Sequence, residues 1–449
     1  MKASTYAGAG ILACRRWGAV ALLGTALGAA GSLAGAGAPV RPLAQEYVAV
    51  AESPAPLTVI MYNPTVLRLP GGRLVAGYVH SDKGDSTQTR TVVLTSDDGG
   101  VTWIERNRAV IGQARLFAAG DAIYQLGSGS RMRIMRSDDQ GETWSEPEVL
   151  DTRAWHQTAS NVWHANGRVY LAIERRVERN ITAWSVGELA PVLMSAPVDK
   201  DLRDPGNWKF ANELMFADLI PGYRENTPQL DYFGVPFFAQ SYPGRTQIGG
   251  GRTFSPMGWL ETNVVQVLDP DHTWYDPTGR TFHLLMRANT GTTGFAALAK
   301  VTEQDNGSLV TSLVKAPSGV TQLFVPMPGG QMRFHILYDE VTRLYWLLGS
   351  QATDSMTRPE LLPPERFGTP DNERHRLVLH FSRNLVDWCF AGLVATGNSP
   401  REARHYASMD FDGDDIVILS RSGDGRAKSA HDGNLITFHR VRNFRDLVY

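Results

Sequence analysis

Two stretches, "SDDGGVTW" (Ser96–Trp103) and "SDDQGETW" (Ser137–Trp144), place Ser, Asp, Gly, Thr and Trp at identical offsets, forty-one residues apart. Each follows a strand-like run. "TRTVVLTS" precedes the first, and "RMRIMRS", which alternates long polar and apolar residues with period two, precedes the second. Asp and Ser side chains bond nearby backbone N–H groups, and glycine adopts the positive φ of a tight turn. Each octet therefore reads as a hairpin tip, with Thr and Trp restarting the next strand. Its recurrence means that one hairpin is built repeatedly.

Weaker copies extend the pattern. "FSRNLVDW" (Phe381–Trp388) keeps Ser and Trp with Asn for Asp, and "MSAPVDKDLRDPGNW" (Met194–Trp208) ends on Trp after an insertion. A second element, strand–Gly turn–strand, alternates with these hairpins: "YNPTVLRLPGGRLVAGY" (Tyr62–Tyr78), "SNVWHANGRVYLAIE" (Ser160–Glu174), "HILYDEVTRLYWLLG" (His335–Gly349) and "YASMDFDGDDIVILS" (Tyr406–Ser420). Two hairpins make a four-stranded propeller blade. Six units are counted, beginning near Tyr62, Ala114, His156, Glu261, Arg333 and His405, with a Pro- and Gly-rich insertion at about 211–256. "NLITFHRVRNF" (Asn434–Phe444) completes the last sheet and "YVAVAES" (Tyr47–Ser53) helps close the ring. The expected fold is all-β, a six-bladed propeller over residues 39–449.

Ahead of it, residues 1–38 carry Lys2, Arg15 and Arg16, then small apolar residues and Ala34-Gly35-Ala36, the layout of a cleaved export signal. The pair Arg15-Arg16 is compatible with the twin-arginine route. The chain is read as secreted or periplasmic, with no stable membrane insertion expected. With 44 basic against 46 acidic residues, charge gives no sign of a nucleic-acid or polyanion partner. Cys14 lies in the signal, which leaves Cys389 alone in the mature chain and excludes an internal disulfide. No His/Cys spacing suggests a catalytic metal, and no cofactor is expected.

The motif S-x-D-x-G-x-T-W resembles the Asp-box of the sialidase-like (BNR-repeat) superfamily, and the resemblance spans nearly all of residues 39–449. It implies a glycan or oligosaccharide substrate and exo-acting glycoside hydrolysis in a central funnel, with the boxes at the outer rim. Site residues carry over one at a time. The family's first arginine falls on the "YNPTVLRLPGGRLVAGY" stretch, where this chain has Asn63. The loop "HSDKGDSTQTR" (His80–Arg90) offers Asp82 and Asp85 as acid/base. Glu261 opens "ETNVVQVL" and Arg287 ends "RTFHLLMR", matching the family's Glu partner and second arginine. Arg333 is the candidate third arginine, with Arg374, Arg376 and Arg404 as competitors. Tyr406 matches the nucleophile; a phenol titrating near 10 needs a base, here Glu261.

Other residues stand out on their own. His156, Asn161 and Glu174 lie in the third unit's opening hairpin, His405 adjoins Tyr406, and His431 and Asp432 fall in "SAHDGN". Trp155, Trp163 and Trp259 are either sugar-stacking or packing residues. Two further readings stay open: a polysaccharide lyase using His156, His405 and Tyr406, and a glycan-binding propeller without turnover.

Overall fold

The structure, a computed structural model, describes residues 40–229, 240–247, 253–291, 293–355, 357–362 and 373–449. The expected export signal and part of the 211–256 insertion lie outside the described residues. Among the described residues, six antiparallel sheets of four or five strands follow one another along the chain. Their innermost strands include Val59–Arg68, Gln113–Ala119, Trp155–His156, Gly258–Val265, His335–Asp339 and Arg404–Asp412. The expected count of six blades holds, and five of the six expected starts fall on these strands; Arg333 lies just ahead of its own. The ring is a six-bladed propeller. Among the described residues no helix is long and apolar enough to cross a membrane.

The first blade shows how the sequence makes a sheet. Val59–Arg68, Leu74–Asp82, Arg90–Ser96 and Ile104–Ala109 pair in order. The second and third strands are buried along most of their length. The fourth is largely uncovered, and its residues (IERNRA) are mostly polar. Between the third and fourth strands sits the first octet. Ser96 Oγ accepts from Gly100 N at 2.9 Å, Asp98 accepts from the Thr102 amide and hydroxyl, and Trp103 Nε1 donates to Gly100 O at 3.0 Å. The second octet repeats each bond: Gly141 N to Ser137 Oγ, Thr143 to Asp139, and Trp144 Nε1 to Gly141 O. Gly100 has φ +97°, and a Cβ there would meet the Phe438 ring at 2.3 Å, so glycine is required twice over. In the weaker copy, Ser382 Oγ accepts from Leu385 N, while Asn384 Oδ1 accepts from Val386 N and Asp387 N.

Closure is made by the amino-terminal segment. Val48–Glu52 pairs with Leu435–Val441 (Val48 opposite Phe438, Glu52 opposite Leu435) and serves as the outermost strand of the last blade. Leu43 N and Ala44 N donate to Leu393 O and Val394 O of the fifth blade, and Ala44 O meets His439 Nδ1 at 2.8 Å. Adjacent blades pack face to face through apolar layers. Phe282 stacks on Tyr170 at 4.0 Å and Trp259 Nε1 donates to Leu189 O, which joins the fourth blade to the third, and Trp346, Met409 and Phe444 join the fifth and sixth. Each fully buried aliphatic or Phe side chain contributes about 1.5–3 kcal/mol.

Around the axis the packing is polar, and the innermost strands are tied to one another by side chains. Thr65 Oγ1 accepts from Leu116 N, and Asn161 Oδ1 accepts from Val264 N. Asn263 Oδ1 accepts from Ile336 N, His335 Nδ1 from Met409 N, and Ser408 Oγ from Val66 N. Each bond passes from one blade to the next. The second blade departs from the pattern: Arg115, buried, reaches Ser408 Oγ at 3.0 Å and His335 Nε2 instead. Such pairing satisfies buried amides that would otherwise cost about 1–3 kcal/mol each.

One irregularity recurs. Asn63 (φ +56°), Gln157 (φ +62°), Glu261 (φ +60°) and Tyr406 (φ +48°) all adopt the left-handed region near the start of the innermost segments of blades one, three, four and six. In three of these blades the ladder slips there, between Tyr62 and Thr65, Leu260 and Asn263, and His405 and Ser408. Such bulges bend a strand and re-aim its side chains. A non-glycine residue held there costs about 1–3 kcal/mol, so the repetition marks one end of the axis as a place where side-chain direction outweighs backbone comfort.

Candidate active site

At that end lies a cavity of about 190 Å³, lined by Tyr62, Asn63, Gln157, Arg333, Tyr406 and Arg421, with the exposed Lys83 and His431 beside them. Three of the four left-handed residues line it. The fourth, Glu261, is fully buried and reaches the site through Arg287.

Arg287 Nη1 donates to the Tyr406 hydroxyl at 2.7 Å and to Glu261 Oε2 at 3.3 Å, and its Nε donates to Gln331 O at 2.8 Å. The phenol and the carboxylate are thus within reach of one guanidinium nitrogen, although they stem from blades six and four. Burial leaves this ion pair unscreened by water, so breaking it would strand a charge. Glu261 Oε1 is buried without a hydrogen-bond partner, so one acceptor oxygen of this carboxylate is unspent.

Behind Glu261 stands a second carboxyl. Glu174 Oε1 accepts from the Thr262 amide at 3.0 Å and hydroxyl at 2.6 Å, while Oε2 is buried and unpartnered. Burial, reinforced by the Glu261 charge, raises the Glu174 carboxyl to about 7 against the pull of Thr262. His156, opposite Glu174 in the ladder, is lowered to about 4 by burial, with Glu261 opposing, so its imidazole is neutral at pH 7.

Cations dominate the surroundings. Arg333 Nη1 donates to Asn63 Oδ1 at 2.6 Å and its Nη2 to Ala159 O at 3.1 Å. Asn63 in turn donates to Ala114 O, which fixes its amide orientation. The Arg374 and Arg421 guanidinium carbons lie 5.3 and 5.5 Å from the Tyr406 ring centroid. Arg421 also lies 5.6 Å from the Tyr62 ring and pairs with Asp432 at 3.5 Å. Burial lowers Arg421 to about 10, which still leaves it charged at neutral pH. Arg374 Nη1 meets His405 Nδ1 at 3.1 Å in the fully buried layer beneath.

The structure brings together Tyr406, Glu261 and Arg287, and separately Arg333 and Asn63, with His156 behind them. It does not bring in Asp82, Asp85, Arg404 or Arg376. Asp82 Oδ1 accepts from Gly84 N and Asp85 N, and Asp85 Oδ1 from the Thr87 amide and hydroxyl, so both carboxylates cap turns of their own loop. Thr87's bonds hold the exposed Asp85 carboxyl below its ordinary range. From this loop it is Lys83 that lines the cavity. Arg404 bonds Ala403 O and Gly423 O and packs over Tyr47, 5.0 Å away, and is not among the residues that line the cavity. Arg376 is engaged by Glu373 at 2.7 Å. Trp155, Trp163 and Trp259 belong to the apolar layers, because a strand residue facing the neighbouring blade cannot also face the axis. Arg421, Gln157 and Lys83 went unread. Arg421 ends the apolar run "DDIVILSRS", where a buried charge was the available signal. Among the described residues, no group of three or more His, Cys, Asp or Glu is placed to hold a metal ion.

No family model matches the chain, and no curated protein matches it. Among solved structures it is similar to the α-L-arabinanase of Penicillium chrysogenum complexed with arabinobiose, at 12% identity and TM-score 0.46, covering 91% of this chain and 100% of that one. It is similar to the Trypanosoma rangeli sialidase in complex with sialic acid at 14% identity and TM-score 0.48, covering 91% and 60%. The intramolecular trans-sialidase of Ruminococcus gnavus in complex with oseltamivir carboxylate matches at 12% identity and TM-score 0.46, covering 90% and 98%.

Proposed function

We propose that this chain is an exported, exo-acting glycoside hydrolase that removes a terminal acidic sugar with retention of configuration. One observation carries the reading: the Tyr406 hydroxyl and the Glu261 carboxylate meet on Arg287 at the base of an axial cavity, each on a left-handed bulge.

In this reading Tyr406 Oη attacks the anomeric carbon as the bond to the leaving oxygen breaks. The phenolic proton passes to Glu261, whose Oε1 has no other partner. Arg287 stabilises negative charge developing on Oη, as a preorganised donor does. A loop carboxylic acid, Asp82 or Asp85, protonates the leaving oxygen after leaving its turn-capping position. A water, deprotonated by the same loop carboxylate, then attacks the anomeric carbon, the bond to Tyr406 breaks, and the phenol is restored. A neutral nucleophile suits a sugar whose own carboxylate would repel an Asp or Glu. Arg333, Arg374 and Arg421 supply the positive field for such a sugar.

The test is a hydrolysis screen on a glycan panel, with products identified by mass spectrometry. Release of a terminal acidic sugar by the parent, abolished in Tyr406→Phe, supports the reading. Unsaturated products absorbing in the ultraviolet would identify a lyase instead, and binding without turnover would identify a glycan-binding propeller.

A further inference from the structure

The repeated hairpin tips are not equivalent. In the first two, Trp103 and Trp144 Nε1 donate to a carbonyl of their own turn. In the third, Ser382–Trp388, Leu385 stands where the others have glycine. Its N donates to Ser382 Oγ at 2.9 Å, with φ +66° despite its Cβ. Trp388 Nε1 is buried without a partner. This tip gives up a hydrogen bond and an unstrained backbone, a departure of the kind that collects at functional sites.

The tip walls a cavity of about 570 Å³, together with the Asp269–Trp274 loop that follows the innermost strand of blade four. That volume lies in the range of small-ligand sites. Glu261 is near the start of that strand and Asp269 beyond its end, so the cavity sits at the other end of the ring from Tyr406 and shares no residue with the axial one. The half-buried Trp274 lines it, stacked on the buried His283 with ring centroids 5.2 Å apart. His272 ties the loop to the tip: Nδ1 accepts from Trp274 N at 2.9 Å and Nε2 meets Asn384 O at 3.0 Å. Other lining groups are free to bind. Gln322 Oε1 is buried without a partner. Arg383 reaches Asp269 Oδ2 through Nε at 3.2 Å, with its side chain 76% exposed. Asp387 accepts from Asn384 through Oδ2 alone. A second hollow of about 340 Å³ shares Asp269 and Arg383 with the first and is lined by Tyr338.

In the larger cavity the carboxylates of Asp269, Asp271 and Asp387 outnumber the one guanidinium of Arg383, which disfavours an anionic ligand. An indole beside amide, carboxylate and guanidinium groups suits a ligand with an apolar C–H face and hydroxyls around its edge. We propose that this cavity is a second, non-catalytic site that holds neutral sugar units of a glycan. Trp274 is the stacking platform, Gln322 and Asp387 accept from hydroxyls, and Arg383 donates to a sugar oxygen. The hollow at Tyr338 takes the next unit of the chain. The site is independent of the reaction proposed at Tyr406, because it holds a glycan whether or not one is cleaved.

The experiment is affinity electrophoresis of the full chain through gels that each contain arabinan, galactan, xylan, mannan, β-glucan or polygalacturonate, with titration calorimetry on each polymer that retards it. The variants are Tyr406→Phe, Trp274→Ala, and Gln322→Ala combined with Asp387→Ala. Wild type and Tyr406→Phe are expected to bind at least one neutral polysaccharide with equal affinity. Trp274→Ala should weaken that binding by about tenfold or more, and the double variant by about three- to tenfold. If Trp274→Ala does not fold, the double variant decides alone. Retardation by no neutral polysaccharide overturns the proposal. So does wild-type affinity in the rim variants, or tighter binding of polygalacturonate than of every neutral polymer. If the rim variants lose binding while the wild type hydrolyses no glycan, the hydrolase reading falls and this site stands. If the wild type hydrolyses a glycan that the rim variants bind unchanged, the reverse holds.

Discussion

Tyr406→Phe separates a catalytic phenol from a packing ring. The substitution removes one oxygen and leaves the ring, its neighbours and the left-handed backbone in place. Its structural cost is the 2.7 Å bond from Arg287. A hydrogen bond to a charged group contributes about 1.5–3 kcal/mol. Arg287 keeps Glu261 at 3.3 Å and Gln331 O at 2.8 Å, so no charge is stranded and the loss stays inside that range. An unfolding entropy of roughly 2.1 cal/mol/K per residue over about 400 residues gives a fall in Tm of about 2–4 °C. Turnover on whichever glycan the wild type hydrolyses should drop by about three orders of magnitude or more, as when a nucleophile is removed. Calorimetry and initial rates on one preparation read both. Loss of activity with a collapse of the transition by 10 °C or more would assign Tyr406 to the core. A retained tenth of wild-type turnover would refute the nucleophile role.

Asn63→Arg, which restores the arginine expected at this position, should not help. It removes the bonds to Arg333 and Ala114 O and sets a third buried cation beside Arg333 and Arg421, so loss of soluble protein or a Tm lowered by several degrees is expected. Glu174→Gln tests the raised carboxyl. With a folded value of about 7 against 4.5 unfolded, the native state holds the extra proton between those values, so stability falls as pH rises through them, by about 3 kcal/mol in all. The variant should flatten the decline of Tm between pH 5 and 8, and parallel curves for the two proteins would refute the assignment. Ser96→Ala removes the buried hydroxyl that holds Gly100 N; it should cost about 1 kcal/mol by chemical denaturation and leave kcat and KM unchanged, because it lies on the outer hairpin of the first blade.

The ring was legible because its punctuation is local. Ser96, Asp98, Gly100 and Trp103 bond one another within eight residues, and the same chemistry returns at Ser137–Trp144, so no long-range information is needed. Tyr406, Glu261 and Arg287 were reached through resemblance, not periodicity; what unites them in the structure is a guanidinium spanning two blades. Asp82 and Asp85 show the opposite case. Asp-Lys-Gly-Asp is ordinary turn composition, and in the structure the turn claims both carboxylates. Arg421 was illegible because an arginine closing an apolar strand says nothing about which neighbouring blade it will meet. The left-handed turns of the backbone at Asn63, Gln157, Glu261 and Tyr406 had no glycine to announce them.

The latch formed by Val48–Glu52 sets an order of events. Among the described strands of the ring this one is synthesised before all the others, and its partner Leu435–Val441 after all of them. Until then the nascent chain carries two unsatisfied β edges at its extremes, and neither can be capped early. A chain that stops short of Leu435 would lack the partner strand and keep both edges exposed to association with other chains. Loss of either strand therefore opens the ring at the last blade, however intact the other five are.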